Sequence, residues 1–131
     1  MKTIIASLAA FVLATAALSA AEPPANPRPI AFAELSRLLA EPKNDVLLVD
    51  VRTAEEFKQG RIGGAVLFPY DEMERRKTEF AALAGKKDRP IVVYCRTGRR
   101  SSVAADTLVG LGYTNVADFG GIGRWKGALE R

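Results

Sequence analysis

Two uninterrupted apolar runs, at 46–49 and 91–94, constrain the fold of this chain more than any other feature. A strand that buries only one face alternates apolar and polar residues, whereas a parallel sheet covered by helices on both faces needs continuous apolar strands. Segments with helical patterns lie before, between and after the two runs. Their order predicts an α/β domain with a central, mainly parallel sheet flanked by helices on both faces.

Local signals predict the remaining elements. Thr53 and Glu56 form a capping box, which predicts a short helix at 54–59 that ends at Gly60. Asp71 is expected to cap a charged, broken helix that reaches residue 83. Apolar spacing predicts the other elements, which are helices at 32–39 and from Ser101 or Ser102 onward, and short strands at 65–68 and 116–119.

The only cysteine, Cys95, directly follows the second apolar run. In open α/β sheets, ligands bind beyond the carboxyl ends of the strands, where each helix begins. Residues 96–100 separate Cys95 from the predicted helix, and their backbone amides can curl around an anion because Gly98 permits a left-handed conformation. Positive charge and a helix N-terminus both favour the thiolate over the thiol. We therefore predict a lowered pKa for Cys95 and a role as nucleophile.

The chain contains no histidine. This excludes the Cys–His arrangements of proteases and acyl transferases and most catalytic zinc sites. A simpler alternative is that Cys95 packs as a small buried hydrophobe beside a solvated arginine turn. The combination of a strand end, a glycine, several arginines and a serine-started helix favours a functional thiol instead. We expect no metal and no other cofactor.

Residues 1–21 have the layout of a secretory signal peptide. Lys2 supplies a positive start, 4–18 are apolar, small or hydroxyl residues, and 19–21 are small. We place cleavage after Ala21. An uncleaved anchor or a buried helix is the alternative, although the run is short for a membrane span. We expect an exported protein, periplasmic if the source is a Gram-negative bacterium and otherwise secreted, with no stable membrane insertion after cleavage.

Composition beyond the leader favours one small domain. Residues 22–29 contain four prolines and are predicted to form an extended tether before a domain at 30–131. The formal net charge of +4 is modest and falls by one when Lys2 is removed. It indicates a local anion site more than binding to nucleic acid or a membrane surface. A lone cysteine forms no internal disulfide. We favour a monomer, although the sequence does not determine the oligomeric state.

Five short motifs resemble, in the same order, those of single-domain rhodaneses. They are 48–52 (LVDVR), 55–57 (EEF), 60–65 (GRIGGA), 94–101 (YCRTGRRS) and 120–122 (GGI) followed by Trp125. Each motif is weak alone, but their shared order covers about residues 30–126. The resemblance implies the rhodanese fold and a thiosulfate-type sulfurtransferase. Trp125 is expected in the core or in a pocket wall.

The resemblance also implies a mechanism. In this family the cysteine at the position of Cys95 attacks the outer sulfur of a small anionic donor such as thiosulfate, releases sulfite and holds the sulfur as a persulfide. A thiophilic acceptor, cyanide or a thiol, then removes that sulfur. The expected partners are therefore a small sulfur donor and a small acceptor, with no nucleic acid.

The same resemblance assigns residues around Cys95. The backbone of the loop is the expected anion cradle, and its arginine side chains are candidates for donor binding. A pair at the end of the first apolar strand is expected to orient the loops by ion pairing. The substrate-binding residues are thus Arg96, Thr97, Gly98, Arg99 and Arg100, and the supporting residues are Asp50, Arg52 and Ser101.

Two other readings remain open. Cysteine phosphatases of the cell-cycle type and related arsenate reductases share the fold, but they carry the phosphate-gripping arginine six positions after the cysteine. Here that position is Ser101, and the last arginine of the loop is Arg100. The shorter loop favours sulfur transfer. The second alternative is a non-catalytic binding module, for which loss of the cysteine would be the usual sign.

Overall fold

The structure is a computed structural model that describes residues 2–6, 9–15 and 22–131. Within these residues, five strands form one parallel sheet in the order β1-β5-β4-β2-β3. The strands are β1 (Arg28–Pro29), β2 (Leu47–Asp50), β3 (Val66–Leu67), β4 (Ile91–Cys95) and β5 (Val116–Gly121). The helices are α1 (Phe32–Ala40), α2 (Ala54–Gln59), α3 (Lys77–Ala84) and α4 (Arg99–Gly110), with 3₁₀ helices at Tyr70–Glu72 and Ile122–Arg124.

Strands β2 and β4 are the two apolar runs from which the fold was predicted. They lie side by side within the sheet, and every residue of both is buried. Their register pairs Leu47 with Ile91 and Asp50 with Tyr94. Because β2 and β5 cover both edges of β4, its last residue, Cys95, lies in the middle of the carboxyl edge of the sheet. The predicted parallel sheet is confirmed.

Helices cover both faces of the sheet, as predicted. Successive residues of a strand point to opposite faces, so a continuous apolar strand supplies both halves of the core. The half under α3 and α4 includes Val49, Phe80, Val93 and Leu108. The half under α1 includes Leu35, Leu48, Val92 and Phe119, and the partly buried Trp125 packs against it with its ring centroid 5.1 Å from that of Phe32.

The segment 22–29, predicted as an extended tether, joins the sheet at its C-terminal end. Arg28 and Pro29 form β1, which pairs with β5 at the sheet edge. Asn26 anchors the approach, since its side chain donates to the Tyr113 carbonyl oxygen (2.9 Å) and accepts from the Val116 amide (2.9 Å). A proline is tolerated here because an edge strand leaves one side of its backbone unpaired. Arg28–Pro29, predicted as part of the extended tether, thus belong to the edge of the sheet.

The leader prediction falls largely outside the described residues. Residues 1, 7–8 and 16–21 are not described, and these include the proposed cleavage pattern. Among the residues that are described, no helix is both long enough and apolar enough to span a membrane.

Two predicted helix starts are corrected. Asp71 does not cap a helix: it lies inside the 3₁₀ helix, and α3 begins separately at Lys77 after the N-cap residue Arg76. Phe68, which precedes Pro69, and Met73, which follows the 3₁₀ helix, are both buried in the core. The helix after Cys95 begins at Arg99 and not at Ser101 or Ser102, because the left-handed Gly98 already starts it. The capping box of α2 is confirmed.

Candidate active site

Cys95 is the last residue of β4 and is fully buried. The chain turns sharply after it, so that the Gly98 amide donates a hydrogen bond to Cys95 Sγ at 3.0 Å. Gly98 has a φ of 104°, in the left-handed region that favours glycine, and it serves as the N-cap residue of α4. The sulfur therefore lies inside the turn that joins the central strand to a helix N-terminus.

A second glycine lets the turn sit against β5. Gly121 pairs with Cys95 across the sheet. A Cβ added at Gly121 would lie 2.8 Å from the Arg96 carbonyl oxygen and 3.3 Å from the Thr97 Cα. Real Cβ atoms essentially never approach backbone this closely, so the path of the loop depends on Gly121 having no side chain.

The surroundings of Cys95 favour its thiolate. Burial raises the pKa of the Cys95 thiol, but hydrogen bonding by the Ser101 side chain and by the amides of Ser101, Gly98 and Thr97 outweighs burial, so this pKa lies below its usual value. The Ser101 hydroxyl donates to the Gly98 carbonyl oxygen at 3.1 Å and reaches the sulfur by rotation. These donors stabilise negative charge on sulfur without a neighbouring base.

The loop arginines fall into two groups. Arg96 and Arg99 are exposed, and neither belongs to an ion pair in the described part of the chain. Arg100 lies in the first turn of α4, and its guanidinium donates to both carboxylate oxygens of Glu56 at 2.7 and 2.9 Å. No local pattern predicts this pairing, since the two residues are 44 positions apart. Arg100 is therefore not an unpaired cation of the loop.

The predicted supporting pair, Asp50 and Arg52, is buried beside the site. Arg52 Nη2 lies 2.7 Å from Asp50 Oδ2 and also donates to the Gly60 carbonyl oxygen at 2.6 Å. Tyr94, which precedes Cys95, donates its hydroxyl proton to Asp50 Oδ2 at 2.7 Å and accepts from the Ile62 amide at 3.1 Å. Burial and the hydrogen bond to Asp50 raise the pKa of Tyr94, so its hydroxyl stays neutral. This is the arrangement of a structural network.

A groove of about 410 Å³ adjoins the loop. Thr97 and Gly98 form one wall, and the segment from Pro27 to Pro29 forms another. Two cationic side chains line it, and one of them, Arg28, is paired with Glu34 at 2.9 Å. The second is Arg124, in the 3₁₀ helix after β5. Sequence reasoning missed this groove because it depends on β1 joining the sheet.

No cluster that could hold a metal is found in the described residues, where no three or more Cys, Asp or Glu side chains are suitably grouped. The groups that the structure places at the site are a thiol, backbone amides and cationic side chains. These groups together can bind a small anion and bring it to a thiolate.

Comparison with known proteins agrees with the fold. Residues 31–128 match the family model described as "Rhodanese-like domain". A protein named "Sulfurtransferase" from Allochromatium vinosum is 42% identical over 92 residues, which cover 70% of this chain and 80% of that protein. "Thiosulfate sulfurtransferase PspE" from Escherichia coli is 35% identical over 74 residues, which cover 56% of this chain and 68% of that protein.

Solved structures give the same result. The human single-domain sulfurtransferase TSTD1 superposes with a TM-score of 0.61 at 30% identity, covering 73% of this chain and 89% of that chain. A rhodanese from E. coli, solved with anions, superposes with a TM-score of 0.60 at 30% identity, covering 66% of this chain and 98% of that chain. With its matching family model, its relatives and a parallel sheet that ends in the Cys95 loop, this chain belongs to the rhodanese-like domain family.

Proposed function

We propose that the protein is a sulfurtransferase in which Cys95 takes a sulfane sulfur from thiosulfate or a similar donor and carries it as a persulfide. The homologues support sulfur transfer in general. The observation that supports a persulfide on Cys95 is the hydrogen bond from the Gly98 amide to Cys95 Sγ, in a turn where the Ser101 hydroxyl and the backbone amides lower the pKa of the thiol. Such a turn is suited to stabilising an anionic sulfur.

The proposed first step is a displacement at sulfur. The Cys95 thiolate attacks the outer sulfur of thiosulfate and forms a new S–S bond. The S–S bond of the donor breaks, and sulfite leaves with its electron pair. The charge that began on Cys95 ends on the outer sulfur of the persulfide, so the loop amides stabilise the reactant and the product anion alike. Cyanide or a thiolate then attacks the outer sulfur, and Cys95 leaves as the thiolate.

The loop arginines and the adjoining groove account for binding in this proposal. Because Cys95 is buried, only the outer sulfur of the donor enters the turn, and the sulfonate end stays near the exposed Arg96 and Arg99. The groove lined by Thr97, Gly98 and Arg124 offers space for the acceptor. Electrostatic attraction to Arg96, Arg99 and Arg124 favours anionic partners over neutral ones.

Turnover of thiosulfate and cyanide tests the proposal. The purified protein should form thiocyanate, and Cys95→Ser should reduce the rate to the uncatalysed background. Incubation with thiosulfate alone should add one sulfur atom to the mass of the wild type and none to the variant. Absence of turnover in the wild type, or equal turnover in Cys95→Ser, overturns the proposal. Cys95-dependent hydrolysis of an aryl phosphate without sulfur transfer would point to the phosphatase alternative.

The protein is also proposed to be exported, on the strength of the leader pattern at 1–21. It is periplasmic in a Gram-negative source and secreted otherwise. Expression of the full chain in a Gram-negative host, followed by fractionation and N-terminal sequencing, should give a periplasmic product that begins at Glu22. A cytoplasmic product that still begins at Met1 contradicts this.

A further inference from the structure

The N-cap position of helix α4 provides no side-chain acceptor for the amides of the first turn. This N-cap residue is Gly98, which has no side chain to accept from the first amides of the helix. The Cys95 sulfur instead accepts from the amides of Thr97, Gly98 and Ser101. A capping side chain would compete for these donors, so the start of α4 has to be held by contacts that leave its amides available.

The ion pair between Arg100 and Glu56 supplies such a contact. Arg100 is the second residue of α4, and two parallel hydrogen bonds of 2.7 and 2.9 Å join its guanidinium to Glu56. Both side chains are only 23% exposed. A bidentate pair fixes orientation as well as distance. Arg100 also lies within electrostatic range of the Cys95 thiolate and the Tyr70 hydroxyl.

Glu56 is itself held in place on α2. Its Oε1 accepts from the Thr53 amide at 3.3 Å and from the Thr53 hydroxyl at 3.1 Å, while the Glu56 amide donates back to Thr53 Oγ1 at 3.2 Å. The capping box alone needs only the contacts with Thr53. The contact with Arg100 therefore gives Glu56 a second role that capping does not explain.

We propose that Glu56 is a positioning residue for Cys95, because by holding Arg100 it fixes the first turn of α4 and thereby aims the amides of that turn at the sulfur. The inference deepens the proposed function, since it concerns the thiolate on which sulfur transfer rests. Its test, however, needs no turnover, because thiolate formation is measured by alkylation. Failure of sulfur transfer and failure of this inference are therefore distinguishable.

The sign of the effect separates positioning from simple charge. Glu56 is an anion behind Arg100, so if its charge alone mattered, Glu56→Gln would lower the pKa of the Cys95 thiol and raise its reactivity at neutral pH. If Glu56 positions the turn, the same substitution misaligns the amides, raises the thiol pKa and reduces the reactivity. Glutamine keeps an oxygen for Thr53, so the capping box survives the change.

The experiment measures the rate of iodoacetamide alkylation of Cys95 against pH in the full-length protein. Glu56→Gln should raise the apparent thiol pKa by about half to one unit, which reduces the rate at neutral pH by about three- to tenfold. Thr53→Ala is the matched control: it weakens the same capping box but leaves the contact with Arg100, and its profile should stay within about twofold of the wild type. An unchanged or faster rate in Glu56→Gln overturns the proposal.

A second comparison, made in the Arg100→Gln variant, keeps the proposal testable if one single variant fails to fold. In Arg100→Gln the anchor is already absent, so adding Glu56→Gln should have no further effect on the alkylation profile. A further increase in rate in the double variant would show that Glu56 acts through its charge alone, and this outcome also contradicts positioning. Circular dichroism of every variant confirms that the rates compare folded proteins.

Discussion

Two groups of polar atoms lie at the carboxyl edge of the sheet, and they are built differently. The network of Asp50, Arg52 and Tyr94 consists mainly of side chains that bind one another, and no buried side-chain nitrogen or oxygen among the described residues lacks a partner. The Cys95 site is built mainly from backbone amides directed at one sulfur, with the Ser101 hydroxyl as its one side-chain donor. The first group fixes the scaffold, whereas the second favours negative charge on the sulfur.

The difference predicts different weak points. A side-chain network fails when one member is deleted, because the remaining charges and donors are left buried without partners. A site made of backbone is insensitive to many side-chain deletions, but it fails when an added atom moves the chain. In this protein, substitutions at Asp50 should therefore act on stability, and substitutions at Gly121 should act on the thiol.

The largest effect on stability is expected for Asp50→Ala. The change leaves the Arg52 guanidinium buried without its carboxylate and removes the acceptor of the Tyr94 hydroxyl. Breaking a buried pair in this way costs about 3–5 kcal/mol of the free energy of unfolding, measured by urea denaturation. Glu79→Ala is the control, because its pair with Arg76 is on the surface and its loss should have little effect. Equal losses in the two variants would contradict the structural role of Asp50.

The next effect is expected for Gly121→Ala. The new Cβ would lie 2.8 Å from the Arg96 carbonyl oxygen, so the loop must shift, at about 1–3 kcal/mol of stability. Misaligned amides should also raise the pKa of the thiol and slow alkylation by about tenfold. The matched control is Gly123→Ala, where an added Cβ meets nothing within 4 Å. A thiol that reacts equally fast in both variants would show that the close packing does not shape the site.

A smaller effect is expected for Tyr94→Phe. Removing the hydroxyl leaves the Ile62 amide without its acceptor and takes one donor from Asp50, which costs about 1–2 kcal/mol. Alkylation of Cys95 should stay within about twofold of the wild type, because the amides that hold the sulfur are untouched. Tyr113→Phe controls for the loss of a phenol from the other half of the core. Slowed alkylation in Tyr94→Phe alone would link the two groups, contrary to the comparison.

The sequence predicted the features that depend on local pattern. Continuous apolar runs identified β2 and β4, and Thr53 with Glu56 identified the start of α2. The start of α4 was predicted too late, because serines are common caps and the pattern does not show amides directed at a sulfur. Gly98 was the signal in the sequence that would have corrected it, because glycine is also common at N-caps.

The features that were missed depend on contacts between distant parts of the chain. Glu56 and Arg100 are 44 positions apart, and spacing along a sequence does not pair residues across two helices. The groove beside the loop needs β1 to join the sheet next to β5, whereas the prolines of 22–29 predicted only an extended tether. The apolar pattern predicts Tyr94 only as a strand residue, because its hydroxyl can donate to Asp50 only once β2 and β4 lie side by side.

The smallest effect tests whether the contact of Glu56 with Arg100 depends on charge. Hydrogen bonding from Arg100 lowers the pKa of Glu56 from 4.5 to about 2 in the folded protein. A lowered folded pKa stabilises the fold fully above the unfolded value, and this stability is lost as the pH falls from about 4.5 to 2. The wild type should therefore exceed Glu56→Gln by about 1 kcal/mol near neutral pH, since solvent screens a partly exposed pair, and by less toward pH 2. A difference of the same size at both ends of this range would assign the stability to packing, because protonation removes only the charge.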